Sequence, residues 1–259
     1  MEEKDIVDII LKKSKDIEEI TNNYFLNMFG KLHNIPDKYN RFKVKQEVVA
    51  KRGYFLSVKK KYALWIINAE GVPVQEMDIK GIAIKRSDYS VITKVMISDI
   101  LDAILKENKI SFLKINKLIN DYKIKIEDLA LDRSKDIARP VTFSKNSEEY
   151  KARIPSHVKS MLFWNEMEYF HFSSGTKGYQ FIIRGIDPYK APKRVRDNYF
   201  EYTINNKDQD RISIPYEEEK LPDYYVIDLE RTLEFNWKNR VEELLEPIWD
   251  NLDLNDMEM

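Results

Sequence analysis

The chain has 259 residues with 43 basic and 44 acidic side chains, a formal net charge of −1, so it is neither a polybasic arm nor an acidic solvating tail. With 43% hydrophobic and 12% aromatic residues it can bury a sizeable core in one or two domains. The absence of cysteine excludes disulfides, thiolate zinc sites, iron–sulfur clusters and a cysteine nucleophile, and points to a reducing, cytoplasmic setting.

From Ile6 the apolar positions Ile6, Ile9, Ile10, Ile17, Ile20, Tyr24 and Met28 keep a three-and-four spacing, which predicts a helix ending near Gly30 with one apolar stripe lying on a core. Alternation then takes over. Phe42, Val44 and Val48, next Tyr54-Phe55-Leu56, next Tyr62 to Ile67, and finally Ile79, Ile82 and Ile84 read as strands of an antiparallel meander, with turn chemistry at Asn68-Ala69-Glu70-Gly71. After Ser87-Asp88 the period changes again. Val91, Val95, Ile97, Ile100, Leu101, Ile104 and Leu105 predict a helix, and a second is expected from Ser111 to Tyr122. Residues 133–155 lack periodicity, Phe181-Ile182-Ile183 reads as a buried strand, and Pro188 to Arg211 as a long polar connection. A last helical stretch carries Leu229, Leu233, Trp237, Val241, Leu244, Leu245, Ile248 and Leu252, with Pro247 as a kink or break. The expected division is residues 1–87, helix plus sheet, and residues 88–259, mixed and mostly helical: an α+β chain.

No apolar run reaches the roughly 18 residues of a membrane span, and Met1-Glu2-Glu3-Lys4-Asp5 is too polar for a signal peptide. Neither GxGxxG nor the GxxxxGK phosphate loop occurs. The densest basic run is Arg41, Lys43, Lys45, Lys51, Arg52, Lys59, Lys60 and Lys61, which meets only Glu47 as a counter-charge. Two readings stand side by side: lysines that protect a sheet edge, or cations with aromatic neighbours that meet nucleic-acid phosphates.

The runs Phe42-Lys43-Val44-Lys45-Gln46-Glu47, Lys59-Lys60-Lys61-Tyr62 and Ile79-Lys80-Gly81-Ile82 with Lys85-Arg86-Ser87-Asp88 resemble, in this order, the end of the palm of family B DNA polymerases, in particular phage-type enzymes. The likeness continues through Asp136-Ile137-Ala138-Arg139-Pro140 and Ile154-Pro155-Ser156-His157-Val158-Lys159-Ser160, similar to thumb segments, and through Tyr225 to Arg231 and Leu244 to Ile248, similar to the last thumb helices. Lys61 stands where the family usually has arginine, and Lys159 and Ser160 depart from its Arg-Gly.

The resemblance implies that Lys59, Lys60, Lys61 and Tyr62 approach the minor groove at the primer terminus, that Lys85, Arg86, His157, Lys159, Lys193 and Arg194 also meet DNA, and that Glu47 is an accessory residue near the metal site. It implies Mg2+ as cofactor, held mainly elsewhere, because the family's Asp-Thr-Asp-Ser strand, its Ser-Leu-Tyr-Pro aspartate, the fingers helix and the exonuclease carboxylates do not occur in this chain. Met1 at a clean helix start fits a natural gene boundary. The expected function is therefore that of the carboxy-terminal polypeptide of a split polymerase. Its partners would be primer-template DNA, an amino-terminal polypeptide with exonuclease, fingers and catalytic palm, and a sliding clamp. The alternative is a stand-alone duplex-binding accessory module.

Other groups are weighed against plainer roles. Asp208-Gln209-Asp210, the one Asp-x-Asp, sits between Lys207 and Arg211 in a polar stretch and reads as a solvated loop. His33, His157 and His171 read as packing or hydrogen-bonding residues, and Met161, Phe163, Trp164, Tyr169 and Phe170 as core. Arg184, Lys190, Lys193, Arg194 and Arg196 are either a grip on duplex phosphates or a solvated loop. Glu217 to Glu219 and then Asp250, Asp253, Asp256 and Glu258 make the end of the chain acidic, with Leu252, Leu254 and Met257 as candidates for a clamp peptide or a frayed tail.

Overall fold

The computed structural model describes residues 3–39, 41, 43–107, 109–145, 149–150, 154–168, 172–205 and 210–251. By contacts the chain forms two units, Met1–Tyr54 with Tyr62–Ile79, and Phe55–Lys61 with Lys80–Met259.

The first unit holds helix α1 (Glu3–Tyr24), which runs through a π-helical turn at Phe25–Phe29 into the short α2 (Gly30–Leu32), and a sheet of strands β1 (Val48–Phe55), β2 (Tyr62–Ala69) and β3 (Val72–Lys80) in the order β1-β2-β3. The meander is where its alternation places it. Glu70 and Gly71, at φ 51° and 89°, make the two-residue turn that matches strand twist, and the Asn68 side chain accepts the Gly71 N–H at 2.9 Å. Ile82 and Ile84, expected on a strand, instead lie beyond β3, at and within the 3-10 turn Ala83–Lys85.

Helix α1 overturns one expectation. Its isoleucine stripe does not lie on a core: Ile6, Ile9, Ile10, Ile17, Ile20, Tyr24 and Met28 are 39–70% exposed. The more protected face is Val7, Leu11, Ser14, Glu18, Thr21 and Phe25, roughly a third of a turn away at about 3.6 residues per turn. Polar bonds set that orientation. Glu18 accepts the backbone N–H of Gln46, while Asn22 donates to the Val44 carbonyl at 3.0 Å and accepts the Val44 N–H at 2.7 Å. A sequence stripe reports what can be buried, and here these side-chain bonds lie on the face that turns inward.

In the second unit α3 (Val91–Leu105) and α4 (Phe112–Leu131) begin at Ser90 and Ser111, whose hydroxyls accept N–H groups of Thr93 and Lys114. Their facing sides are buried: Met96, Ile97, Ile100, Leu101 and Ile104 on α3, Ile115, Ile119 and Ile126 on α4. Strand β4 (Arg139–Thr142), α5 (Ser156–Met167), β5 (Lys177–Ile186), α6 (Lys193–Asn205), β6 (Arg211–Pro215) and β7 (Tyr225–Ile227) follow. Strand β5 is the centre of an antiparallel sheet, pairing with β4, β6 and β7. Helices outweigh strands here, as expected, but the sheet extends well past Phe181 to Ile183. The stretch from Pro188 to Arg211, expected as a connection, contains α6; its polar outer face hides the anchoring positions Val195 and Tyr199, of which Val195 is buried.

The closing helical stretch is α7 (Leu229–Leu233), a π-helical turn (Glu234–Lys238), α8 (Asn239–Leu245) and a 3-10 turn (Glu246–Asn251), so the helix does stop ahead of Pro247. The extra residue of the π turn brings both Asn236 and Trp237 inside. Asn236 accepts from Ser90 Oγ at 2.8 Å and donates to the Ile137 carbonyl at 2.9 Å, and Trp237 Nε1 donates to the Ile119 carbonyl at 2.9 Å. One turn thus ties the helical pair α3 and α4 to the chain entering β4. No helix among the described residues is long and apolar enough to cross a membrane.

Phe42, the stretch with Tyr169, Phe170 and His171, Asp208-Gln209 and the tail with Leu252, Leu254 and Met257 lie outside the described residues.

Candidate nucleic-acid interface

Within the second unit, β4, the first turn of α5 and the start of β5 enclose a cleft of about 440 Å³, lined among others by Ser87, Arg139, Thr142, His157, Lys177 and Tyr216. Register explains the convergence: Thr142 pairs with Lys177 across β4 and β5, and Arg139 stands at the other end of β4. Among the described residues the lining offers two cations, an imidazole and several hydroxyls, and no carboxylate. A larger hollow of about 660 Å³ beside α4 and α7 has Glu127, Glu230 and Glu234 as well as Lys123, Arg184 and Lys238 on its rim, so its charges offset one another. The smaller cleft suits an anion.

Arg139 is the most informative residue in it. Its Nε is buried without a hydrogen-bond partner, and its Nη2 lies 3.6 Å from Asp88 Oδ2. Burial of an unmade donor is costly. Burial pushes the His157 imidazole below its ordinary pKa, and the Arg139 charge adds to that. Among the described residues helix α5 begins without a side-chain cap, and its first-turn N–H groups stand beside His157.

The expected site residues separate. His157 lines the cleft, but Lys159, two residues on, is turned about 200° around α5 at roughly 100° per residue and is not among the lining residues. Lys59 and Lys60 are exposed in a turn between β1 and β2, not on a strand, and Tyr62 opens β2 half-buried. Lys61 is engaged: its ammonium donates to Glu243 of α8. Lys85 is exposed at the end of a 3-10 turn. Arg86 is bound to Asp88 by two hydrogen bonds and lies over the Tyr89 ring at 5.3 Å. Lys193 is exposed at the start of α6, whereas Arg194 donates inward to the Glu168 carbonyl at 3.1 Å.

In the first unit, Glu47 is exposed and its carbonyl accepts the Glu70 N–H at 2.8 Å. The partner of Lys45 is Glu70, at 3.2 Å. Sequence reasoning missed Arg139 and Lys177 as site residues. Arg139 stands in a thumb-like segment whose pattern gives it no role of its own, and nothing around Lys177 marks it before β5 is laid beside β4.

The sequence pattern of DNA polymerase family B matches residues 18–221. This chain belongs to DNA polymerase family B. Among solved structures it is similar to the family B DNA polymerase from the hyperthermophilic archaeon Pyrobaculum calidifontis, at 18% identity and TM-score 0.50, over 85% of this chain and 24% of that one. That likeness concerns the fold, and the chain spans about a quarter of the length of the polymerase it matches. No curated protein matches the chain.

Among the described residues of this family B chain, no group of three or more His, Asp or Glu stands together to hold a metal ion. Asp210, the described half of the Asp-x-Asp pair, is taken by Arg231 at 2.6 Å, with Arg211 at 3.7 Å. The donor set that Mg2+ requires does not fit the described residues.

Proposed function

We propose that this chain is the carboxy-terminal part of a family B DNA polymerase, with residues 1–87 as the end of the palm and 88–259 as the thumb. It grips primer-template duplex for synthesis by a partner chain that carries the metal-binding aspartates. The observation that carries this reading is the cleft of Arg139, His157 and Lys177, with no carboxylate among its described lining residues, in a chain that belongs to the family. The outward isoleucine face of α1 further supports work within an assembly, since apolar stripes of this kind are usually covered.

On this reading the cleft holds backbone phosphates, which positions the duplex without reading its sequence. Lys59 and Lys60, on their exposed turn, meet the duplex near the primer terminus, where minor-groove acceptors are shared by all correct pairs. The contribution of this chain is alignment of the primer end, with the metal-dependent step left to the partner. A sliding clamp would be a further partner in replication.

The test uses the purified chain on a primed template. It should bind duplex weakly, without sequence preference and with strong salt dependence, and should incorporate no nucleotide with magnesium present. Mixing with a polypeptide from the same genome that carries Asp-Thr-Asp-Ser should start synthesis. Extension by the chain alone would overturn the split arrangement. Duplex binding that no such polypeptide converts into synthesis would favour the stand-alone accessory module.

A further inference from the structure

Residues Phe55–Lys61 belong by contacts to the second unit, and three features define their turn. The turn is closed by Leu56 N–H to the Lys61 carbonyl at 3.1 Å and by Lys61 N–H to the Val58 carbonyl at 3.3 Å. Lys60 takes φ 65°, a left-handed backbone uncommon for a residue with a side chain. Gly81, at φ 68°, passes so close that a Cβ would stand 2.5 Å from the Lys60 carbonyl oxygen and 3.0 Å from Lys61 Cγ, so only glycine fits.

The side chain of Lys61 then joins a chain of charges. Its ammonium donates to Glu243 Oε1, with the two side chains only 25% and 34% exposed. Glu243 Oε2 accepts from Arg240 Nη1 at 2.9 Å, and the same nitrogen lies 3.1 Å from the Tyr89 hydroxyl. The Arg240 guanidinium lies over the Tyr89 ring at 5.1 Å. A lysine held in this way has little freedom to meet DNA, whereas Lys59 and Lys60, immediately before it, are exposed.

We propose that Glu243 is a positioning residue: by holding Lys61 it withdraws that lysine from the DNA-facing set and fixes the turn that presents Lys59 and Lys60 to the duplex. The proposal rests on the reading that those two lysines meet DNA. It makes a prediction opposite in sign to simple charge. Removing an anion from the surface of a DNA-binding protein should tighten binding by electrostatics alone, but removing the anion that positions the lysines should weaken it.

The experiment titrates the full chain onto a fluorescein-labelled primer-template duplex and follows anisotropy. Lys60→Ala should weaken binding, Glu243→Gln should weaken it about threefold to tenfold, and Lys60→Ala added to Glu243→Gln should add little, because both changes remove one coupled contact. Glu243→Asp, which keeps an anion between Lys61 and Arg240, should bind like the wild type and keeps the test informative should Glu243→Gln fail to fold; a folded Glu243→Asp chain that binds as weakly as Lys60→Ala overturns the proposal. Unchanged or tighter binding by folded Glu243→Gln, with Lys60→Ala still weakening, also overturns the positioning role and leaves the duplex reading intact. A wild-type chain that does not bind duplex overturns both.

Discussion

Asp88 binds Arg86 through both carboxylate oxygens, Arg86 Nε to Oδ1 at 3.0 Å and Nη2 to Oδ2 at 2.8 Å. Burial alone would push the Asp88 carboxyl up, but the Arg86 hydrogen bonds and charge, with Arg139 beyond, hold it below the usual carboxylate range. One carboxylate thus occupies a cation that the family likeness would give to DNA, and screens a second, Arg139, at the edge of the cleft.

Asp88→Asn should release Arg86 and strengthen Arg139 as a phosphate ligand. Duplex binding should tighten at low salt, and the slope of log affinity against log salt should steepen by about one, as expected for one more phosphate neutralised. Anisotropy titrations across a salt series check this, and an unchanged slope would mean that Arg86 does not reach DNA even when free.

His157 gives a pH dependence. Its folded pKa lies below the ordinary 6.5, so as pH falls from about 6.5 through the folded value the unfolded chain binds more protons and the folded state loses stability. A bound phosphate favours the protonated imidazole, so duplex affinity should move the opposite way and rise on acidification. His157→Gln should flatten both profiles, as read by thermal melting and by anisotropy between pH 5 and 8, the range in which histidine ordinarily titrates.

Asn236→Ala should destabilise the second unit by about 2–3 kcal/mol, because it leaves the buried Ile137 carbonyl and the Ser90 hydroxyl short of a partner. Urea unfolding measures it. A loss below roughly 0.5 kcal/mol, the range of ordinary surface changes, would mean that the π turn is not the tie it looks to be.

Ile17→Gln and Ile20→Gln should change the stability of the isolated chain by no more than about 0.5 kcal/mol, since these side chains are 62% and 70% exposed. Had α1 lain on a core by its isoleucine stripe, each would cost several times more. Chemical denaturation separates the two orientations, and the same variants should impair synthesis by an assembled enzyme.

The helices α3 and α4 were legible because serine caps and buried isoleucines recur at helical spacing, and the meander because Asn68 and Gly71 mark its turn. The cleft was less so. His157 stands out through its motif, but Arg139 and Lys177 lie 38 residues apart and come to one cleft only through the pairing of β4 with β5, which no local pattern encodes. The charge of Lys61 was visible, yet its partner Glu243 is 182 positions away. The orientation of α1 is not legible in its stripe, because Glu18, which accepts the Gln46 N–H, and Asn22, which bonds Val44, lie on the protected face although their polarity reads as outward.

The outward isoleucines of α1 also bear on supply. An uncovered apolar face promotes self-association as concentration rises, and cells clear chains that expose such surface through chaperones and proteases. On the proposed split arrangement, the amount of this chain that can persist in a cell is set by the amount of its partner polypeptide, so overexpression alone should yield inclusion bodies or fragments, and co-expression with that partner should raise the soluble level without any change in transcription.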